Sequence, residues 1–166
     1  MFSADFDSGN EMMARLAGAA DLVTQLVSAK MVEMAEELRR HVVDDKLNGQ
    51  VLKRRSGKLA NSIRAEVTAD GAGVGMRVFS EGVPYANIHE YGGRTPAHDI
   101  YPDKAKALAF VIGGKTVFAK LVHHPGSQMP ERSYMRSSAE DLHAHIAEEV
   151  RDAAAQALSQ VMGGGG

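Results

Sequence analysis

The side chains in this sequence best suited to chemistry are its seven histidines, by type either metal ligands or proton carriers. The candidates are His89 beside Glu90, His98, the pair His123-His124, and His143 with His145. A zinc-binding helix of the His-Glu-x-x-His type needs a second histidine four residues after the first, so that both face one way. Position 93 is glycine, so His89-Glu90 lacks that partner. His143 and His145 stand two apart, and on a helix they point about 200° from each other. The histidines therefore read as solvated or loop-packing side chains. A metal-dependent hydrolase using His89, His98, His123 or His124 is the weakest reading, and it requires a stoichiometric metal ion.

Other chemistries fare no better. No Gly-x-Ser-x-Gly elbow presents a nucleophilic serine. Ser56 and Ser62 lie near basic residues, but a serine opening a helix ordinarily caps it. The carboxylates of EEL and AEEVRD fit solvated helix faces. Gly71–Gly75 (GAGVG) resembles part of a dinucleotide fingerprint, yet it opens a strand, so no helix N-terminus would meet a phosphate. Lys53-Arg54-Arg55, with Lys58 and Arg64, forms a basic run that could touch nucleic acid or an acidic partner. The net charge of −2 argues against a binder that works by bulk electrostatics. Cysteine is absent, which removes disulfides, thiolate metal sites and a cysteine nucleophile. No catalytic, metal-binding or cofactor-binding set emerges from these residues.

Length suits one domain, expected over 1–162, with a disordered glycine tail at 163–166. No apolar run approaches the roughly 20 residues that span a bilayer. The acidic start MFSADFDSGNEMM lacks the basic-then-apolar pattern of a signal peptide, so the expected compartment is the cytoplasm.

The elements follow from periodicity. Met12, Leu16, Ala19, Val23, Leu26, Val27, Met31, Met34, Ala35 and Leu38 recur near the 3.6 period and predict one long helix over 7–42, capped by Ser8 or Asn10. Some 30 residues give about 45 Å of helix, long enough for part of the stripe to meet another subunit. Residues 44–55 read as an exposed polar loop, and SGKLANSI as a short helix. RAEVTA, Asp70-Gly71 and AGVGMRVF predict a hairpin with Ile63, Ala65, Val67, Val74, Met76 and Val78 on one face. PYANIHEY reads as a short helix ended by Gly92-Gly93, followed by a proline-rich loop. KALAFVI, Gly113-Gly114 and KTVFAKLV predict a second hairpin, with Leu108, Phe110, Ile112, Val117, Ala119 and Leu121 on one face. Residues 123–131 read as a loop. A second long helix follows, with Ser137 and Glu140 as a capping box. The expected fold is α+β: one antiparallel sheet of about four strands, from two hairpins, packed against long N- and C-terminal helices.

Three stretches then occur in a telling order: RRSGKLANSIRAEV (54–67), YANIHEYGG (85–93), and IYPDKAKALAF (100–110) leading to VHHPGSQMPERSYM (122–135). Together they resemble the tailed-bacteriophage family of neck, tail-completion or virion-morphogenesis proteins. The resemblance covers about residues 50–138. It departs at Asp103, where many relatives carry a basic residue, so no charge contact is carried over there. The resemblance implies a structural virion protein of the head–tail junction: a ring-forming neck, connector or tail-completion subunit that joins or finishes the tail at its head-proximal end. It implies a homo-oligomer, hexameric or dodecameric, assembled in the host cytoplasm. Its neighbours would be connector, tail-terminator or tail-tube proteins, with no membrane partner. Any nucleic-acid contact would be with packaged DNA passing the ring lumen. The motif or subunit-interface candidates are Arg55, Gly57, Leu59, Ile63, Tyr85, Ile88, Glu90, Tyr91, Gly92, Pro102, His124, Pro125, Gly126, Pro130 and Arg132; of these, Leu59, Ile63, Tyr85, Ile88 and Tyr91, with Leu108 and Phe110, are open between core and interface. The alternative function is a DNA-contacting module built on the Lys53–Lys58 loop.

Overall fold

A computed structural model describes residues 8–71 and 73–163. The elements run α1 (Ser8–Arg40), α2 (Lys58–Asn61), β1 (Ile63–Asp70), β2 (Gly73–Ser80), α3 (Ala86–Tyr91), β3 (Gly93–Arg94), β4 (His98–Ile100), β5 (Leu108–Ile112), β6 (Lys115–Ala119), β7 (Val122–His124), β8 (Gln128–Met129) and α4 (Met135–Gly163). The class is α+β with long terminal helices, as the periodicity requires. The side chains of Ser8, Asn10 and Met12 lie outside the described residues, as do glycines 164–166; Gly163 closes α4. The chain folds as two compact units: one up to Val83 with Tyr134 onward, the other Pro84–Ser133.

In the first unit α1 packs along α4 and on the β1–β2 hairpin. Cross-helix pairs join Lys30 to Glu149 at 3.1 Å, Glu37 to His145 at 3.5 Å, and Lys46 to Asp141 at 2.6 Å. Rising numbers on one side meet falling numbers on the other, so the helices run antiparallel. Met34, Ala35 and Leu38 of α1 and the small residues Ala153 and Ala157 of α4 are buried. Leu16 of the expected stripe is exposed, as is Leu158 of α4.

Beyond Arg40 the helix does not give way to an exposed loop. It loosens into a π turn at His41–Asp45 and tightens into a 3-10 turn at Lys46–Asn48. The cause is packing. Val42 and Leu47 are drawn into a core with Ala60, Ile63 and Tyr134, lined further by Leu59, Val78 and Met135. Lys46 buries its aliphatic stem and delivers its ammonium to Asp141. Each large apolar side chain so buried contributes about 1.5–3 kcal/mol.

The first hairpin forms with the expected apolar face, but its ladder runs on until Asp70 stands opposite Gly73, one step past the expected Asp70-Gly71 turn. Ala65 therefore meets Val78 and Val67 meets Met76. Among the described residues the expected antiparallel strands are present but make separate two-stranded ladders rather than one sheet of about four. The second unit shows why. Its strands nest: β3 pairs with β8, β4 with β7, and β5 with β6. The segments read as proline-rich and histidine-rich loops therefore spend their backbone groups on each other. They form one interrupted ribbon that ends in the β5–β6 hairpin. The expected capping box also shifts, because α4 begins at Met135 and places Ser137 inside its first turn.

Candidate functional site

The motif residues divide between the two units. In the first, Ile63 is 1% exposed and belongs to the core, with Leu59 packed against it. Gly57 is the residue before α2, in the left-handed conformation, and Arg55 is exposed. These positions build the fold, and the core ones offer no surface to a partner.

In the second unit the structure brings together two motifs some forty residues apart in sequence. α3 and the return strand are joined by backbone. The Arg132 N–H donates to the His89 carbonyl at 2.8 Å, and Gly93 pairs with Met129. The buried carboxylate of Glu90 accepts the Ser133 hydroxyl at 3.0 Å. The Thr95 N–H reaches the Ser127 carbonyl at 2.9 Å, and the Ser127 N–H returns to the Thr95 hydroxyl at 2.7 Å.

Two glycines make this junction possible. Gly92 has φ 68° and ψ −167°, a region that essentially only glycine occupies. A Cβ there would sit 2.7 Å from the Glu131 nitrogen and 3.0 Å from the Met129 oxygen. Gly126 has φ 85°, and a Cβ on it would collide with the Thr95 carbonyl oxygen. Both are places where two backbones cross closely, which leaves no room for a side chain at either position.

Around the junction, His124 stacks on His98 with ring centroids 5.0 Å apart, and its Nδ1 accepts the Gly126 N–H at 3.1 Å. His123 meets Asp99 at 2.8 Å. Tyr85 packs edge-on to His89. Burial, then the charge of Arg132, holds the His89 imidazole below the ordinary histidine range. Ile88 and Pro102 are half-buried, while Tyr91, Pro125, Pro130 and Arg132 are exposed. His98, His123 and His124 support turns and strand pairs. Among the described residues no group of three or more His, Asp or Glu side chains is arranged to hold a metal ion.

The sequence reading missed the surface this junction carries. The β5–β6 hairpin leaves Val111 69% and Phe118 70% exposed, with Ile112 and Leu121 also exposed. The register places Ala109, Val111, Thr116 and Phe118 on one face, and Leu108, Phe110, Ile112 and Val117 on the other. The missed signal was apolar residues on both faces of a hairpin, where a sheet covered on one side alternates apolar with polar.

A family model of phage virion morphogenesis proteins matches residues 32–159, and the chain belongs to that family. The match takes in the core of the first unit and the whole of the second. The protein is thus a phage structural and assembly protein. No curated protein and no solved structure matched it. No helix among the described residues is long and apolar enough to cross a membrane.

Proposed function

We propose that this protein is a ring-forming, non-enzymatic subunit of the head–tail junction, acting as a neck or tail-completion protein. The observation that carries the reading is the exposed apolar hairpin held on the motif junction. A chain with few large buried side chains nonetheless leaves Phe118, Val111, Ile112 and Leu121 in water. Large apolar side chains exposed together on one hairpin mark a protein contact. A two-stranded hairpin alone is marginal in water and gains from being covered. The family's motifs thus supply backbone geometry for presenting a contact surface. Ring neighbours, then connector, tail-terminator or tail-tube proteins, are the partners that suit it, with the virion as the destination. The test is molar mass by light scattering, for the protein alone and mixed with the tail-tube protein of the same phage. A discrete multimer of about six or twelve subunits, or a defined complex with the tube protein, is the expected result. A monomer under both conditions counts against the reading.

A second reading rests on Lys53, Arg54, Arg55 and Lys58, which are exposed and form no ion pair with any described residue. In a ring, this loop would contact DNA in the lumen. DNA binding at low salt, lost on changing Lys53, Arg54 and Arg55 to Ala, is the expected signature. Its log–log salt slope should be about −0.9 for each phosphate neutralised. No binding at low salt would remove this reading.

A further inference from the structure

Each strand of the β1–β2 hairpin leaves one edge open. The Glu81 N–H donates to the Ser62 carbonyl at 2.9 Å, one step beyond the Ile63–Ser80 pair. Bonded and non-bonded pairs alternate in an antiparallel ladder, so the bonded pairs continue at Arg64–Phe79, Glu66–Arg77 and Thr68–Gly75. The N–H and C=O groups of Ala65, Val67 and Ala69 on β1, and of Val74, Met76 and Val78 on β2, therefore point outward. Among the described residues these groups meet no backbone partner, and β1 and β2 form a sheet of two strands. Open edges eight residues long are templates for a further strand.

The helix layer is also wider than the sheet it covers. α1 lies along α4 and carries both strands. Two helices side by side span about 20 Å, and two strands about 10 Å. The surplus shows as an open apolar cleft of about 280 Å³, lined by Met31 and Leu38 of α1, Ala139, Ile146 and Val150 of α4, and Met76 of β2. β2 contributes to the lining and β1 does not, so the cleft adjoins the outer edge of β2. A strand added at that edge would bond to the Val74, Met76 and Val78 backbone and turn one row of side chains into the cleft. Among the described strands, β1 fits best. It matches β2 at eight residues, whereas β5 and β6 have five each. Its apolar row of Ala65, Val67 and Ala69 is small and not fully buried. Its polar row brings Glu66 to Arg77, the charged residue of β2, while β5 has no carboxylate and β6 brings Lys115. The β1 of the same copy already pairs with the inner edge of β2, so the added strand comes from a second copy.

We infer that the outer edge of β2 in one copy pairs antiparallel with the outer edge of β1 in a second copy, filling the cleft and joining the hairpins into one sheet across subunits. This rests on the ring reading above and specifies its contact. Within a copy, Arg77 already meets Glu66 at 2.6 Å. The intersubunit pair places a second Glu66 on the other side of Arg77, so the charge pattern continues along the polar face. The two edges differ, so the contact is heterologous. It propagates head to tail and closes into a ring when the rotation permits, whereas a like-to-like contact stops at a dimer. Closure removes both open edges. One helix per strand, as in this unit, is the ratio of a closed barrel clothed by an outer ring of helices.

The test uses two full-length variants, Ala69→Pro on β1 and Val74→Pro on β2. Each removes one outward N–H and spares the bonds within the hairpin, and proline is accepted on an open strand edge. Circular dichroism and thermal melting verify that each folds as wild type. In a dilution series followed by light scattering, each variant should need at least about tenfold more protein than wild type to assemble, because a facing carbonyl loses its donor. An equimolar mixture should give dimers at the wild-type concentration, because one intact β2 edge meets one intact β1 edge. A second measurement decides alone if a proline variant does not fold. Thr68→Cys and Gly75→Cys proteins, otherwise cysteine-free and altered at exposed positions, are co-expressed and treated with a short bismaleimide. Cross-links should join one variant to the other in preference to either with itself. Two results would overturn the inference and leave the ring reading standing: proline variants that assemble as wild type does, or cross-links that mainly join copies of one variant. A wild type that remains monomeric at the highest attainable concentration overturns the inference by itself. Whether the chain occupies the virion is then decided separately, on particles.

Discussion

Replacing Gly92 by Ala tests the claim that the motif encodes backbone geometry. At φ 68° and ψ −167°, a side-chain-bearing residue is strained by about 1–3 kcal/mol. The new Cβ would also press on backbone atoms of Glu131 and Met129 at 2.7 and 3.0 Å, and the crowding costs about another 1–3 kcal/mol. Those atoms belong to main chain held by the β3–β8 pairing at Met129 and by the Arg132–His89 backbone bond next to Glu131, so they cannot turn aside as a flexible side chain would. The loss is therefore at least about 2 kcal/mol, or roughly thirtyfold in the local opening equilibrium. Amide hydrogen exchange reads it directly. Protection of the Thr95 and Arg132 N–H groups should fall by that factor, while the β1–β2 amides of the other unit keep theirs. The control is Gly113→Asn. It has φ 56° in a hairpin turn with open space around the Cβ position, and Asn tolerates that conformation. The control should change stability by less than about 0.5 kcal/mol. Exchange in Gly92→Ala within about threefold of wild type would refute the reasoning.

Truncating Ile63 to Ala removes a fully buried side chain from the Val42–Leu47–Tyr134 core. It should lower the unfolding free energy by about 2–5 kcal/mol in urea titrations, and a loss below about 1 kcal/mol would place that core wrongly. The hydrogen bond from Lys46 holds Asp141 below its ordinary value of 3.8, so its stabilisation is present above that pH and is lost as pH falls through the folded value. Asp141→Asn should flatten that acid limb of the stability curve, and an unchanged limb would contradict it. Burial, then the charge of Arg132, lowers the pKa of the His89 imidazole in the fold. Below its ordinary 6.5 the unfolded chain binds a proton that the folded chain resists, so stability is lost as pH falls through that window. Its ring resonances should titrate below the usual histidine range, and titration at or above that range would remove the effect.

Elements with strong local periodicity were legible in the sequence: the two long helices, both hairpins, and the α3 stop at Gly92. What was not legible depended on partners far along the chain. Arg94, His98 and Asp99 show no strand pattern, because their partners lie at 123–128 and each ladder is only two or three residues long. Lys46 and Leu47 looked like surface loop, because only the tertiary core tells a polar stretch to coil into π and 3-10 turns. The first hairpin turned one residue later than Asp-Gly suggested, since pairing Asp70 with Gly73 keeps the same apolar face while adding a pair. For the candidate site, the motif residues were found by their order, and Ile63, open in the sequence between core and interface, is core. The exposed surface of Phe118 and Val111 went unread because apolar residues in a strand are ordinarily taken as buried.

The central claim is that this chain is a stoichiometric part of the particle. Purified virions of the phage that encodes it can be quantified by mass spectrometry against the tail-tube and portal proteins, with antibody labelling to place the chain. A head–tail junction subunit requires a fixed copy number of about six or twelve per particle, with the label at the head-proximal end of the tail. Absence from purified particles, or trace amounts in no fixed ratio, would contradict it.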